Sequence, residues 1–590
     1  MHQNINRADV PANRKWVLKD ILEEDQIENM IEDVRSATDS LRAFSGKINE
    51  NNVLEVLLTV SRTSYILEKL YVYANMKWDE DKSGSEYAEL SSRIEMLATD
   101  FYSNTSFVAP SLSAMKKSVL ERMQNDPDFN YFSMYLSEII RKKKHLLSNK
   151  EEAILAKSGS FSDGFKTAFS VFDNVNVPFG TVEVDGEKQK LTHGLYSVLM
   201  QHPDREVRKN AYDAMYEGYI SMINTVSEIY AGSVKADCFY ANVRKYGSSL
   251  EQALYADNVP VKVYNNLIKS VRKNVKTMHK YVEYRRKALK VDKLKMYDMY
   301  VSLIKENEKE FPYDDAYEIV CKALHPLGEE YLSILRQAKT GGWIDVEETP
   351  NKRSGAYSWG VYGTHPYVLL NHKGTIHDLF TIAHEMGHAM HSYYSNKTQC
   401  YEKAGYSIFV AEIASTVNEV LLIKYLLKTA EGNDRKYLLS YYLDMIRTTL
   451  FRQTMFSEFE KFAHETIERG EPLSYRIMCE KYTELNKYYY GNAVETDENV
   501  SYEWARIPHF YNAFYVYKYA TGITCAINIA NMLLSDPKKI DDYKRFLSAG
   551  GSAYPLEIIG YMGIDLTKLD PYNIAMREFS ETLKQLIETK

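Results

Sequence analysis

Only 15 of the 590 residues are proline, and the apolar residues between them recur with the period of a helix. Proline inside a helix removes a backbone hydrogen bond and clashes with the preceding turn, so a chain this poor in it can run in long helices. In "NRKWVLKDILEEDQIENMIEDVRSATDSLRAF" the residues Val17, Ile21, Ile27, Ile31 and Val34 are spaced for a helix. The segments 52–78, 86–104 and 111–157 repeat the pattern. The spacing predicts a mainly α fold. A chain of 590 residues also exceeds what one small core can hold, so two or more lobes are expected.

Two stretches break the helical pattern. "VNVPFGTVEVDGEKQKLT" (175–192) alternates apolar and polar residues around Asp185-Gly186, a hairpin turn signal. "GGWIDVEETPNKRSGAYSWGVYGTHPYVLLNHKGT" (341–375) is rich in glycine, aromatic and β-branched residues, and Tyr367–Leu370 reads as a strand. A small sheet is thus expected directly before the next helix. No repeat, low-complexity tract or flexible linker marks a border, so the border is placed at the hairpin. Residues 1–195 form an N-terminal helical lobe and 196–590 a second lobe.

Net charge is -7 and the pI about 6.1, so nothing global recruits nucleic acid or an anionic membrane. The short run "RKKKH" (141–145) reads as a solvated helix face. Five scattered cysteines without a Cys-x-x-Cys pair argue against a disulfide framework and for a reducing cytoplasm. The N-terminus lacks an apolar signal core, and no apolar run is long enough to span a bilayer. The 48 tyrosines suit either a wet internal channel or ordinary helix packing.

The chemistry concentrates in "FTIAHEMGHAM" (380–390). Thr375 and Asp378 form a candidate capping box, which predicts a helix from Ile376 to about Tyr394. On it His384 and His388 lie about 40° apart around the axis, so both imidazoles can reach one metal ion. Glu385 is turned about 100° from His384, beside the metal, where a base for an attacking water must sit. Gly387 leaves room for substrate or for a neighbouring backbone. Zinc needs a third protein ligand, and Glu412 in "SIFVAEIASTVNEV" is the candidate, on a helix folded back against the first. Glu419 shares its face and is placed to orient a ligand histidine, with Asp378 as the alternative. His391 reads as packing. The bland reading, three polar residues on an ordinary helix, weakens as the cap, the downstream carboxylate and the upstream strand are added.

The stretch "SGAYSWGVYGTHPYVLLNHKGTIHDLFTIAHEMGHAMHSYYS" resembles oligoendopeptidase F, in the thimet-oligopeptidase-like group of zinc metallopeptidases. "FVAEIASTVNE", "IPHFYNAFYVYKYATG" (507–522) and "ALYADNVPVKVYNNLI" (253–268) extend the resemblance from about 110 to the end. It implies an elongated, closed helical bean with a small sheet beside the active-site helix and an enclosed substrate cavity. It implies one zinc ion per chain on His384, His388 and Glu412, with Glu385 as base and 196–590 as the catalytic lobe. It implies internal cleavage of short, unstructured peptides in the cytoplasm, without nucleic acid, membrane or an obligate protein partner.

The family's late histidine matches His509. Its carbonyl-binding tyrosines match Tyr515 and Tyr519 on one helix face, with Tyr517 as the other register. Where thimet oligopeptidase has a further tyrosine, this sequence has Gly522. Read from the residues alone, this segment is either an aromatic core helix or a set of donors for an oxyanion. The strand around Tyr357–Leu370 is expected to pair with substrate backbone. Arg506 reads as a structural ion pair, with a substrate carboxylate as the alternative. Two other classes fit less well: a carboxypeptidase, which would stall on end-blocked peptides, and a peptide-binding protein, which would not need Glu385.

Overall fold

The structure, a computed structural model, describes residues 5–184, 186–304 and 309–589. The protein is mainly helical, as the period predicts. Among the described residues the strands form a two-stranded hairpin and a three-stranded sheet. No described helix is long and apolar enough to cross a membrane.

Contacts divide the chain into two compact units, each assembled from three segments. The first takes residues up to Lys144, then Lys309–Tyr425 and Ile529–Gly563. The second takes residues from His145 to the loop before Lys309, then Leu426–Asn528 and the stretch from Ile564 on. The border at 195/196 drawn from sequence falls inside the second unit's first segment. Helices of distant sequence share each core, which local patterning does not show.

In the first unit, helices Ile27–Arg42, Val53–Glu80 and Ser85–Thr105 pack together. The first of these begins later than its pattern predicts. Residues before Ile27 form short 3-10 turns instead. There the Val17 amide donates to the Gly342 carbonyl at 2.7 Å, and Trp16 and Leu18 enter the core beside Tyr367 and Leu369. Tertiary pairing overrides local helix preference at this point. The segment 111–157 is likewise broken into several helices. Pro127 opens a 3-10 turn capped by Asp126, and Ser148 with Glu151 makes a capping box that starts the helix Asn149–Val171. The basic run is more than a solvated face: Arg141 pairs with Glu138 at 2.6 Å, and Lys143 Nζ donates to the carbonyls of Ser113 and Met115.

In the second unit the hairpin forms where predicted. Strand β1 (Thr181–Val184) pairs antiparallel with β2 (Glu187–Lys190). Gly186 takes φ +86°, a conformation open to glycine at a tight turn; Asp185 lies outside the described residues. The rest of this unit is helical, built around Val261–Ala288, Gln453–Glu468, Tyr475–Tyr490 and Asp570–Glu588.

The three-stranded sheet belongs to the first unit. Strand β5 (Tyr367–His372) is central, parallel to β3 (Ile344–Glu347) and antiparallel to β4 (Tyr357–Trp359). The stretch Tyr357–Leu370 is therefore two strands rather than one. Strand β5 is paired on both sides and the sheet's edges are β3 and β4, so within the stretch Tyr357–Leu370 the edge for an added strand is that of β4. The loop between β3 and β4 is anchored by Lys352, whose fully buried ammonium meets Asp345 at 2.7 Å and donates to the Leu370 carbonyl.

Candidate active site

The helix that carries the motif runs Ile376–Thr398, and its start follows from the cap read in the sequence. The Asp378 amide donates to Thr375 Oγ1, while the Asp378 carboxylate accepts from the Thr375 amide at 2.8 Å. Asp378 is thereby committed to the cap and not to a ligand histidine.

A second helix, Ile408–Leu426, crosses the first at very close range. The cause is Gly387. A Cβ there would lie 2.5 Å from Ser415 Cα and 2.9 Å from the Ala414 carbonyl oxygen. Of the two readings of this glycine, the neighbouring backbone occupies the space. The buried Asn418 amide donates to the Ala383 carbonyl at 3.0 Å and ties the two helices again one turn on.

This crossing brings His384, His388 and Glu412 together, with one donor atom from each within 4.8 Å of the others. Glu412 Oε2 lies 3.6 Å from His384 Nε2 and 3.7 Å from His388 Nε2. Those gaps are too long for hydrogen bonds. They are close to the roughly 3.4 Å edge of a tetrahedron whose centre is about 2.05 Å from each donor. Two imidazoles and a carboxylate are a donor set that suits zinc. Glu419 Oε2 sits 3.3 Å from His384 Nδ1, on the far side of the ring from Glu412, and so orients that imidazole.

Electrostatics supports a cation at this point. Burial by itself would lower His384, but the carboxylates of Glu419, Glu385 and Glu412 outweigh it and hold the imidazole up at about 9. Burial pushes Glu385 up to about 7, against the pull of His384 and with the repulsion of Glu412 and Glu419. Burial also raises Glu412 and, with the neighbouring His384, lowers His388 to about 3. A divalent ion would take the place of the proton that this crowd of carboxylates otherwise draws in.

Two clefts flank the motif helix along β4. One, of about 510 Å³, is lined by Glu385, Thr381, His377, Gly355 and Ala356. The other, of about 650 Å³, is lined by His388, Ser392, Ser358, Gly360 and Tyr362. His391 stays out of the donor set. It is 1% exposed and stacks on Tyr406 with ring centres 3.8 Å apart, which is packing.

His509, Tyr515 and Tyr519 belong to the second unit and form a cluster of their own. They do not share one helix, as the spacing predicts. His509 lies in the 3-10 turn Pro508–Tyr511, Tyr515 precedes the helix, and the helix begins at Tyr517. Phe514 between them takes φ +55°, a left-handed kink invisible to periodicity. The kink still leaves the rings together. Ring centres of His509 and Tyr515 are 6.1 Å apart, those of Tyr515 and Tyr519 5.4 Å, and Tyr519 Oη lies 3.5 Å from His509 Nε2. Burial, then Arg452, lowers the His509 pKa. Tyr517 faces the other way, 1% exposed against Tyr264, which favours the Tyr515 and Tyr519 register.

Arg506 has a loose ion pair with Glu503, 3.6 Å, and lies over the rings of Tyr196 and Tyr216. That is the structural reading. The sequence reading did not single out Glu68 or Tyr401, which line the larger cleft. Glu68 comes from a helix far from the motif in sequence and Tyr401 from the short helix Tyr401–Ala404 just after it, and no local signal marks either.

A mainly helical fold that presents a His-Glu-x-x-His helix against a glutamate helix defines the metallopeptidase class. The chain belongs to peptidase family M3 and, within it, to the oligopeptidase F branch. The model of Peptidase family M3 matches residues 198–578, and that of Oligopeptidase F matches 112–179. The chain is 38% identical to oligopeptidase PepF of Bacillus subtilis, over 99% of this chain and 88% of that one. A peptidase structure from Chlamydophila abortus superposes with a TM-score of 0.92 at 36% identity, covering 100% of both chains. Oligoendopeptidase-F from Enterococcus faecium gives 0.74 at 32%, covering 96% of this chain and 98% of that one.

Proposed function

We propose that this protein is a zinc-dependent endopeptidase that hydrolyses internal bonds of short, unstructured peptides. The observation that carries the reading is the convergence of His384, His388 and Glu412 with Glu385 on the adjoining turn. Its oligopeptidase relatives support the substrate class. When bound there, zinc supplies a Lewis acid that acidifies water and polarises a carbonyl. His384, His388 and Glu412 would hold it, and Glu419 keeps His384 in its ligating orientation.

Glu385 takes the proton of the attacking water as the new C–O bond forms. It then delivers that proton to the amine as the C–N bond breaks. The free edge of β4 binds substrate main chain, which favours broad tolerance of side chains. His509, Tyr515 and Tyr519 are assigned as hydrogen-bond donors to the developing oxyanion, on the family resemblance and their clustering. Tyr515→Phe and Tyr519→Phe are each expected to lower kcat by roughly 10- to 100-fold with a smaller change in KM. Steady-state kinetics checks this, and an unchanged kcat in both would make the cluster structural.

Five free cysteines support residence in the reducing cytoplasm. The deciding experiment is mass spectrometry of products from mixed unstructured peptides blocked at both ends. Internal cuts that vanish with a chelator and return with zinc are expected. Stalling on every blocked peptide would point to an exopeptidase, and bound zinc without any turnover to a binding protein.

A further inference from the structure

The larger cleft beside His388 has a chemical character that the reaction does not require. Its far wall is the helix Val53–Glu80, which presents Ser64 and Glu68, four residues apart on one face. Glu402 stands at the cleft's rim, exposed. No lysine or arginine lines the cleft, and no described basic group makes an ion pair with Glu68. The nearest basic neighbour in sequence, Lys69, is turned instead onto the ring of Tyr65, 5.1 Å from its centre.

Aromatic rings complete the wall. Tyr65, Tyr362 and Tyr401 stand edge to face, with ring centres 5.8, 5.4 and 5.4 Å apart. Burial pushes the Glu68 pKa up, against the neighbouring Tyr401 hydroxyl and Tyr362 backbone, which favour its charged form. A half-buried carboxylate without a counter-ion is costly, and one set among tyrosine rings matches the chemistry that recognises organic cations.

The position of the cleft says which part of a peptide reaches it. The chain enters β4 from Gly355 and Ala356, in the cleft of Glu385, and leaves it through Gly360 and Tyr362, in the cleft of His388. The cleft at its start is mixed, with His372, His377 and a Lys373 paired to Glu348 beside the carboxylates of Asp378 and Glu385, whereas the cleft at its end carries Glu68 and Glu402 with no lysine or arginine. A peptide has its ammonium at the N-terminus and its carboxylate at the C-terminus. Charge therefore favours a peptide antiparallel to β4, with residues upstream of the cut beside Glu68.

Resting on the peptidase reading above, we propose that Glu68 is a specificity-determining residue: its carboxylate binds a cationic group of the substrate upstream of the scissile bond. The cation is either the free N-terminal ammonium or a lysine or arginine side chain. Both present the same N–H donors and charge, and the test separates them.

The test uses quenched fluorescent peptides with one cleavage site, each in four forms: free or acetylated at the N-terminus, with lysine or norleucine upstream. The readout is the ratio of kcat/KM within each enzyme, so a partial loss of folded protein cancels. The wild type should prefer a cationic form by roughly tenfold, and Glu68→Gln should bring that ratio near one. Glu68→Lys should invert the preference, so that the acetylated norleucine form is cut best. A ratio lost only between free and acetylated peptides assigns the ammonium; one lost only between lysine and norleucine assigns the side chain. A wild type that cuts all forms equally, or a Glu68→Gln enzyme that keeps the preference, overturns the proposal. Failure of the wild type to cut any peptide would instead overturn the peptidase reading itself.

Discussion

Glu385→Gln is expected to lower kcat/KM by about 10³-fold or more while fold and metal content stay those of the wild type. Glutamine keeps the shape of the side chain but cannot accept the proton of an attacking water. Glu385 is 8% exposed, and burial holds its carboxyl up at about 7, which suits the proposed role of a proton acceptor near neutral pH. The amide also removes one of three carboxylates crowding the same place, which relieves repulsion with Glu412 and Glu419. Loss of activity through unfolding is thus not the expected route. Turnover of a quenched peptide, measured beside zinc content and the thermal midpoint, checks all three quantities. A variant that keeps a tenth of wild-type turnover would remove Glu385 as the base.

Gly387→Ala is expected to be the most damaging single methyl near the site, with a loss of about 2–3 kcal/mol in stability and weakened metal binding. The new Cβ would meet Ser415 Cα at 2.5 Å, its amide nitrogen at 2.8 Å and the Ala414 carbonyl at 2.9 Å. All three are backbone atoms, so no side chain can swing away. The helices must move apart, and Glu412 moves with the helix that carries it. Gly159→Ala is the control: nothing lies within 4 Å of its Cβ position, and alanine favours the helix Asn149–Val171 in which it sits. Denaturant unfolding should show a lowered midpoint for the first and none for the second. Equal midpoints, with unchanged zinc affinity, would mean that the crossing is not held by close backbone contact.

Helical class, the hairpin at Gly186 and the cap at Thr375 were legible because each depends on neighbours within a few residues. Capping boxes at Thr375 and Ser148 are equally local, although the second lies within a long stretch of unbroken helical spacing. His384, Glu385 and His388 were legible for the same reason, since one turn of helix places all three. Glu412 was named from its helical context, and the crossing at Gly387 shows how it reaches the histidines.

Other features depend on partners far away in the chain. Val17 leaves the helical pattern because Gly342 takes its amide, and β5 is closed to an added strand because β3 and β4 cover its two sides. The kink at Phe514 separates Tyr515 from the helix of Tyr519 yet keeps their rings in contact. Glu68 becomes part of the cleft only when the helix Val53–Glu80 packs near Tyr401. The sequence by itself therefore determined the helical class, the motif helix and the chemistry its turn can hold, because periodicity and capping act over a few residues. Which backbone fills the space at Gly387, which strand of the Tyr357–Leu370 stretch keeps an open edge and which carboxylate lines the cleft follow only from the folded structure, because those outcomes depend on contacts between separate elements, from a few tens of residues apart at Gly387 and Ser415 to hundreds at Glu68 and Tyr401.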